Sequence, residues 1–395
     1  MAATASPGNN DTDFLATRAS PRQATLLHDA SNQDLMLEDL TEQFFGRFED
    51  AVIDFQSGNF QSGWTPMEDG PSPEIREGGT VVPTSPDCNS TEAHLDTNNG
   101  LNPQILGYSG DMDPYLLQSY QYNTSDTFKF KQLSIRSVRQ GSTPIQFLLS
   151  QPGLFSQSRH EMALHQTSSD VSRRELESVV PVDTGQRLIS LCRKFILPHY
   201  PIFSDELFPD PQTSSPSLLA AIYMIAQPFA KFDDVLSVEL AYERLNSETL
   251  FKLIAEALQY EAHNPSLALV QTLLLLVVRP STNPLILESS LKWSLHGTLV
   301  ATAHTLGLHH DPTSWAIASW QRALRRRLSF TIFAVDKWLA CSLGRPPLIT
   351  QDDWLVTTPA NADSHTSSLS SHVWLAHIHY AALGRLLGDV IMKLL

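Results

Sequence analysis

The chain is poor in cysteine and lacks both glycine-rich phosphate motifs and membrane-length apolar runs, and each shortage excludes a class of protein. Its three cysteines, Cys88, Cys192 and Cys341, are far apart among 395 residues. No disulfide framework or zinc site of closely spaced thiolates follows from such a set, which suits a reducing compartment. The longest apolar run, Leu267 to Val278, falls well short of the roughly 20 residues that cross a bilayer. The opening MAATASPGNNDTDF has neither the basic nor the apolar region of a secretory signal, so no membrane role is expected. A Walker loop, a GxGxxG fingerprint and a GxSxG elbow are all absent, which leaves nucleotide hydrolysis, dinucleotide binding and serine hydrolysis without support.

One motif imitates a metal site. In HEMALH, His160 and His165 are five residues apart, whereas a zinc-protease helix spaces its histidines by four. At about 100° per residue the second imidazole is turned roughly 140° from the first, so a regular helix cannot bring both to one metal. No catalytic, cofactor-binding or metal-binding residue is therefore expected in this chain.

Charge is distributed unevenly. Residues 1–127 hold 20 Asp and Glu against 4 Arg, a net of −16, while the remaining chain balances 22 acidic with 23 basic residues. The same first third contains polar tracts such as GPSPEIREGGTVVPTSPDCNSTEAHLDTNNG, too polar to offset the entropy lost on ordering. Residues 1–105 are expected to be mostly disordered. Within them, His28 to Phe55 combines eight acidic residues and one Arg with Leu37, Leu40, Phe44, Phe48, Val52 and Phe55 near helical spacing. Two readings stand open: an amphipathic helix that docks on the chain's own core, and an acidic-hydrophobic activation segment in which Phe44, Phe45 and Phe48 anchor in a partner's groove.

Residues 106–183 carry the alternation Phe128, Phe130, Leu133, Ile135, Val138 in a mixed period, and are expected to be an irregular segment packed on a helical domain. From residue 184 to 395 the 3.6-residue periodicity predicts helices over 184–197, 216–230, 235–262, 266–279, 285–307, 315–343 and 371–395. Turn signals at Pro216, Asn264 to Ser266 and Arg279 to Pro284 separate them. The expected fold class is all-α: stacked antiparallel helices in one large domain, preceded by a largely disordered acidic region.

The densest candidate region runs from Leu306 to Thr350. His309 and His310 are expected to point apart as surface or capping residues. Asp311 is expected to cap the long helix, with Pro312 in its first turn, and Gly344 before Arg345 and Pro346 to end it. Arg325, Arg326 and Arg327 lie beside an apolar stripe of Leu324, Leu328, Ile332 and Val335. As a nucleic-acid footprint this run is small and lacks interleaved aromatics, so structural pairing is the better reading. Asp336 and Arg345 are expected to tie the helix to its neighbours.

LGLHHDPTSW, RRRLSF and DKWLACSLGRPPLIT, in that order and spacing, closely resemble the fungal-specific transcription factor domain, the middle regulatory region of fungal zinc-cluster activators. LAYERLNSETLFKLIAEALQYEAHNPSLALVQTLLLLVV and CRKFILPHYPIFSDELF are similar to earlier parts of that domain, and the resemblance covers Gln186 to Leu395. It implies a nuclear regulator or coactivator of transcription whose partners are other transcription factors or coactivators. GYSGDMDPYLLQSYQY is similar to coactivators of nitrogen-source catabolism. Where the family has two tryptophans this chain has Ser329 and Phe330, and where it has Arg this chain has Lys337, which implies repacking. The family's zinc cluster needs six close cysteines, so the resemblance implies no zinc here and DNA contact only indirectly or through a module not in this sequence. It also implies that the domain continues past Leu395. The rival readings are a non-DNA-binding scaffold or ligand sensor, and an all-helical enzyme. Oligomeric state is left open.

Overall fold

The computed structural model describes residues 95–96, 101–110, 112–123, 126–130, 133–164, 169–242, 245–280, 289–357 and 371–394. Phe44, Phe45 and Phe48, with the whole 28–55 segment, lie outside these residues. The described chain belongs to one compact unit, Thr84–Leu395.

A small sheet comes first. β1 (Asn102–Ile105), β2 (Thr127–Phe130), β3 (Leu133–Arg139) and β4 (Ile145–Ser150) form an antiparallel sheet in the order β1-β4-β3-β2. Short helices α1 (Pro114–Leu117) and α2 (Ser156–Glu161) flank its strands in sequence. This corrects the all-α expectation, and the reason is local. The β3–β4 register shifts between Ser137 and Arg139, so Val138 takes an inward position that strict alternation from Leu133 and Ile135 would assign to residue 137. The bulge scrambled the two-residue period that sequence reading depends on.

The helices follow in chain order: α3 (Ser169–Val179), α4 (Val182–Phe195), α5 (Pro216–Ala226), α6 (Leu236–Tyr242), α7 (Ser247–Glu261), α8 (Leu267–Val278), α9 (Ser289–Thr305), α10 (Ser319–Leu343) and α11 (Ser371–Leu394). Two of them, α5 (PSLLAAIYMIA) and α8 (LALVQTLLLLVV), are apolar all round and are buried on nearly every side. Each starts on a serine: Ser215 accepts from the Leu218 amide at 3.4 Å, and Ser266 from the Leu269 amide at 3.2 Å. Such caps satisfy amides that the first turn leaves without partners. Around this pair, α4, α7, α9 and α10 each contribute one apolar stripe, including Leu188, Ile254, Leu299 and Leu328. Full burial of such a side chain stabilises by roughly 1.5 to 3 kcal/mol.

Several helix assignments differ from expectation, among them 216–230, whose α-helix ends at Ala226. The span expected as 235–262 is two helices, because Asn246 starts α7 by accepting from the amides of Glu248 and Thr249. α10 begins at Ser319 rather than 315, since Trp315 and Ile317 leave the helix to join a second core against the sheet. α3 lies in the stretch expected to be irregular. HEMALH is not a single helix either: α2 stops at Glu161, and Ala163 adopts φ +54.

The second core contains Leu95, Val138, Ile145, Phe147, Leu149, Trp315 and Ile317. The turn that links it to the helices is held by Gly307, at φ +71. A Cβ there would meet the Ile105 side chain at 2.8 Å and Phe147 at 3.2 Å. Gly344, at φ +60, has the same conformational need but open space around it.

Gly307→Ala is expected to lower stability by about 2 to 4 kcal/mol, combining left-handed strain with overpacking, and Gly344→Ala by only about 1 to 2. Urea unfolding of both variants checks this; equal losses would show that the close approach at Gly307 carries no cost.

Candidate functional site

Helix α10 takes polar groups into the interior along most of its length. Gln321, Arg325, Arg327, Ser329, Asp336 and Lys337 are all buried. Burying such groups costs several kcal/mol each unless they are paired and hydrogen-bonded, so their partners define the site.

Arg325 stands between the two cores. Its Nε donates to Asp96 Oδ2 at 3.2 Å, its Nη2 makes a short ion pair with Asp96 Oδ1, and its Nη1 donates to the Leu306 carbonyl at 2.7 Å. Its guanidinium lies 5.5 Å from the Trp315 ring centre and 5.7 Å from that of Phe147. Gln321 completes the junction by accepting from the Leu95 amide at 3.2 Å.

Among the described residues Arg327 has no carboxylate in contact. It donates to the carbonyls of Pro201 at 3.0 Å and Phe203 at 2.9 Å, fixing the chain after α4 against α10. Burial lowers its pKa to about 10, which leaves it charged at neutral pH. His377 of α11 is buried beside it, and burial together with the Arg327 charge pushes that imidazole down to about 4. Arg326, between these two, is only half-buried and donates to the Thr357 carbonyl at 3.3 Å. The three arginines therefore divide into two interior anchors and one at the rim, and Arg325 is the anchor that pairs with a carboxylate.

Asp336 is the centre of the C-terminal half. Its carboxylate accepts from His296 Nε2 at 2.8 Å, Lys337 Nζ at 2.9 Å, the Leu348 amide at 2.9 Å and the Ile349 amide at 3.2 Å. Burial alone raises a carboxyl pKa, but the bonds from His296 and Lys337 outweigh it and hold Asp336 below the ordinary carboxylate range. The turn after α10 aims the two amides. Gly344 and Arg345 donate back to Cys341 and Ala340 in a Schellman arrangement, and Pro346 directs the chain toward Leu348. Arg345 lies with its guanidinium 5.3 Å from the Trp293 ring centre of α9.

His309 and His310 do not point apart. Their rings are 4.2 Å apart, with His304 at 4.8 Å from His309 and Trp354 beside both His304 and His309. The pair follows α9 through the Gly307 turn, where no regular element separates adjacent side chains. Burial first, and charge repulsion from His310 and His304 second, push His309 down to about 3; burial and Arg139 push His310 down to about 4. Asp311 does not cap α10, whose first turn has no side-chain cap. It instead accepts from the amides of Thr313 at 2.9 Å and Thr357 at 3.0 Å, joining two loops. In the same loop Trp354 donates to Ser329 at 2.8 Å.

What this arrangement can do is hold one loop, residues 348–357, against α10 from several directions. The carboxylate of the buried His296–Asp336 pair is occupied by four donors. Among the described residues no group of three His, Cys, Asp or Glu side chains is placed to hold a metal. Sequence reading missed Asp96, His296 and His377, which come from three distant segments and carry no local signal.

Comparison with known proteins matches residues 190–379 to the family model described as fungal specific transcription factor domain. An uncharacterized transcriptional regulatory protein of Schizosaccharomyces pombe is 27% identical over 314 residues, 76% of this chain and 45% of that protein. The transcriptional activator protein DAL81 of Saccharomyces cerevisiae is 29% identical over 179 residues, 44% of this chain and 18% of that protein. Cutinase transcription factor 1 beta of Fusarium vanettenii is 29% identical over 104 residues, 26% of this chain and 12% of its own. The chain thus spans less than half the length of these relatives. No solved structure matches.

Asp336→Asn is expected to cost about 3 to 5 kcal/mol, since it leaves Lys337 buried without its countercharge, whereas Arg326→Ala is expected to cost less than about 1. Urea unfolding separates the two, and a large loss at Arg326 with a small one at Asp336 would invert the assignment. The histidine pair sets a pH dependence. Both imidazoles are kept neutral by the fold, so the unfolded chain binds more protons; the stability they contribute is full above pH 6.5 and lost as pH falls toward 4. Unfolding at pH 7 and pH 5 is expected to differ by on the order of 2 to 4 kcal/mol, and His309→Gln with His310→Gln to shrink that difference.

Proposed function

We propose, from the match of residues 190–379 to the fungal specific transcription factor domain, that this protein is a fungal transcription regulator or coactivator whose helical domain performs the regulation. The observation that carries the reading is the domain match itself, supported by relatives that are named transcriptional regulators or activators along up to 76% of this chain. The geometry agrees. Its charged groups are spent on holding helices and loops together, with partners inside the fold, and the half that carries them is near neutral overall.

In this reading the protein works in the nucleus, its partners are other transcription factors or coactivators, and it reaches DNA through a partner or through sequence beyond this chain. The net −16 of residues 1–127 opposes phosphate contact by the N-terminal third. The segment 28–55 supplies activation, with Phe44, Phe45 and Phe48 as anchors. The similarity of residues 107–122 to coactivators of nitrogen-source catabolism suggests nutrient-responsive target genes. No enzymatic step is assigned.

Fused to a heterologous DNA-binding domain, the chain is expected to raise expression of a reporter above that of the DNA-binding domain alone. Replacing Phe44, Phe45 and Phe48 with Ala is expected to remove most of that activity while thermal unfolding of the helical domain stays unchanged. A fusion that binds its site and leaves the reporter at baseline would favour the scaffold reading, and full activity in the triple variant would remove the activation segment from the account.

A further inference from the structure

The two buried arginines of α10 are treated differently by the fold. Arg325 receives a carboxylate from Asp96. Arg327, 3% exposed, receives only the carbonyls of Pro201 and Phe203, at Nε and Nη2. Its Nη1, with two N–H groups, makes no hydrogen bond among the described residues. The carboxylates whose charge reaches it, Asp205 and Glu206, are exposed, and Asp205 is already paired with Arg193 at 2.6 Å. Beside Arg327, His377 is 2% exposed, and neither of its ring nitrogens has a hydrogen-bond partner. A neutral imidazole always carries one N–H. The junction of α10 and α11 therefore holds a positive charge with no carboxylate in contact, and N–H groups of two side chains with nothing to accept them. Native structures pair nearly every buried polar group, so a cluster of exceptions points to a partner from outside the chain.

We propose that Arg327 and His377 form a binding site for a small organic carboxylate, whose two oxygens accept from Arg327 Nη1 and from the His377 ring N–H. A carboxylate matches what the site lacks, since it brings one negative charge against one guanidinium and offers acceptors only. Inorganic phosphate near neutral pH brings more charge than a single guanidinium balances, which is costly away from water. The walls favour an organic body. Trp374 lies one turn before His377, with ring centres 5.9 Å apart, and Tyr200 meets Tyr380 edge-on at 6.3 Å. Tyr200 precedes Pro201 and Tyr380 lies one turn after His377, so the segments that carry the polar groups also carry the aromatic ones. The burial of both polar residues restricts the ligand to a small one. Its bonds join α10 to α11 through a polar link that His377 does not make by itself. This inference does not depend on the transcriptional reading.

Ligand-observed saturation-transfer NMR on the full chain tests it, with benzoate, acetate, inorganic phosphate and the uncharged benzamide as probes at constant ionic strength. Benzoate is expected to saturate in roughly the millimolar range, as one anchored carboxylate on a small ring allows. Acetate is expected to displace it, phosphate to leave it bound, and benzamide to bind about tenfold more weakly or less, because it brings no charge to the guanidinium. His377→Leu is expected to lower benzoate affinity about tenfold or more while thermal unfolding stays the same or rises, since an apolar side chain replaces an imidazole without a partner. Arg327 also holds Pro201 and Phe203, so its variants are not used, and the comparison of probes on the unaltered chain stands even where His377→Leu fails to fold. No saturable binding of benzoate or acetate, benzamide bound as tightly as benzoate, displacement by phosphate as readily as by acetate, or undiminished binding to folded His377→Leu would each overturn the proposal.

Discussion

Taking charge out of water is the constraint that the rest of this structure answers to. Helix α10 is too long and too central to keep Arg325, Arg327, Asp336 and Lys337 in solvent, and each must be met by groups of matching geometry. The solutions differ. Arg325 obtains a carboxylate from Asp96, more than two hundred residues earlier, and Arg327 obtains two main-chain carbonyls. Asp336 gathers a histidine, a lysine and two amides. Because those partners lie on the segment before the sheet, the loop after α4, helix α9 and the loop after α10, satisfying one helix fixes the positions of four other parts of the chain.

The small sheet and the helical core are joined by the same logic. Arg325 lies where the two apolar clusters meet, with Trp315 and Phe147 around its guanidinium, and Gly307 brings the end of α9 down onto Ile105. Neither apolar cluster alone accounts for that docking; a charged side chain and a left-handed glycine set it. The loop 348–357 is held likewise, through Asp336, Asp311 and Ser329. The loop is thus tied to α10 by directional bonds as well as by apolar packing.

The α10–α11 pair adds a second theme, close approach by small residues. Gly384 against Ala334 and Gly388 against the stem of Lys337 draw the two helices together on one side of α11. The other side of the same helix keeps its leucines in water. One helix thus combines a glycine-lined inner face with an apolar outer one.

Helix positions were legible because a buried stripe recurs every 3.6 residues whatever it packs against, and the boundary signals at Pro216, Ser266 and Gly344 act within a few positions of themselves; the cap at Asn246, inside a span read as one helix, was missed. The apolar character of α5 and α8 likewise determined that they would be central. The sheet was not legible, because a bulge at Ser137 breaks the two-residue period in the strand that should have shown it most clearly. Nor was the division among Arg325, Arg326 and Arg327: adjacent residues on a helix point about 100° apart, and which directions lead inward depends on elements packed from elsewhere. The packing of Trp354 on His304 and His309, the move of Asp311 from helix cap to loop tie, and the meeting of Asp336 with His296 all join segments distant in the chain. Local sequence determines the conformations that hydrogen bonds and side-chain entropy favour over a few residues; the partners of a buried charge come from distant segments, so only the tertiary structure decided them.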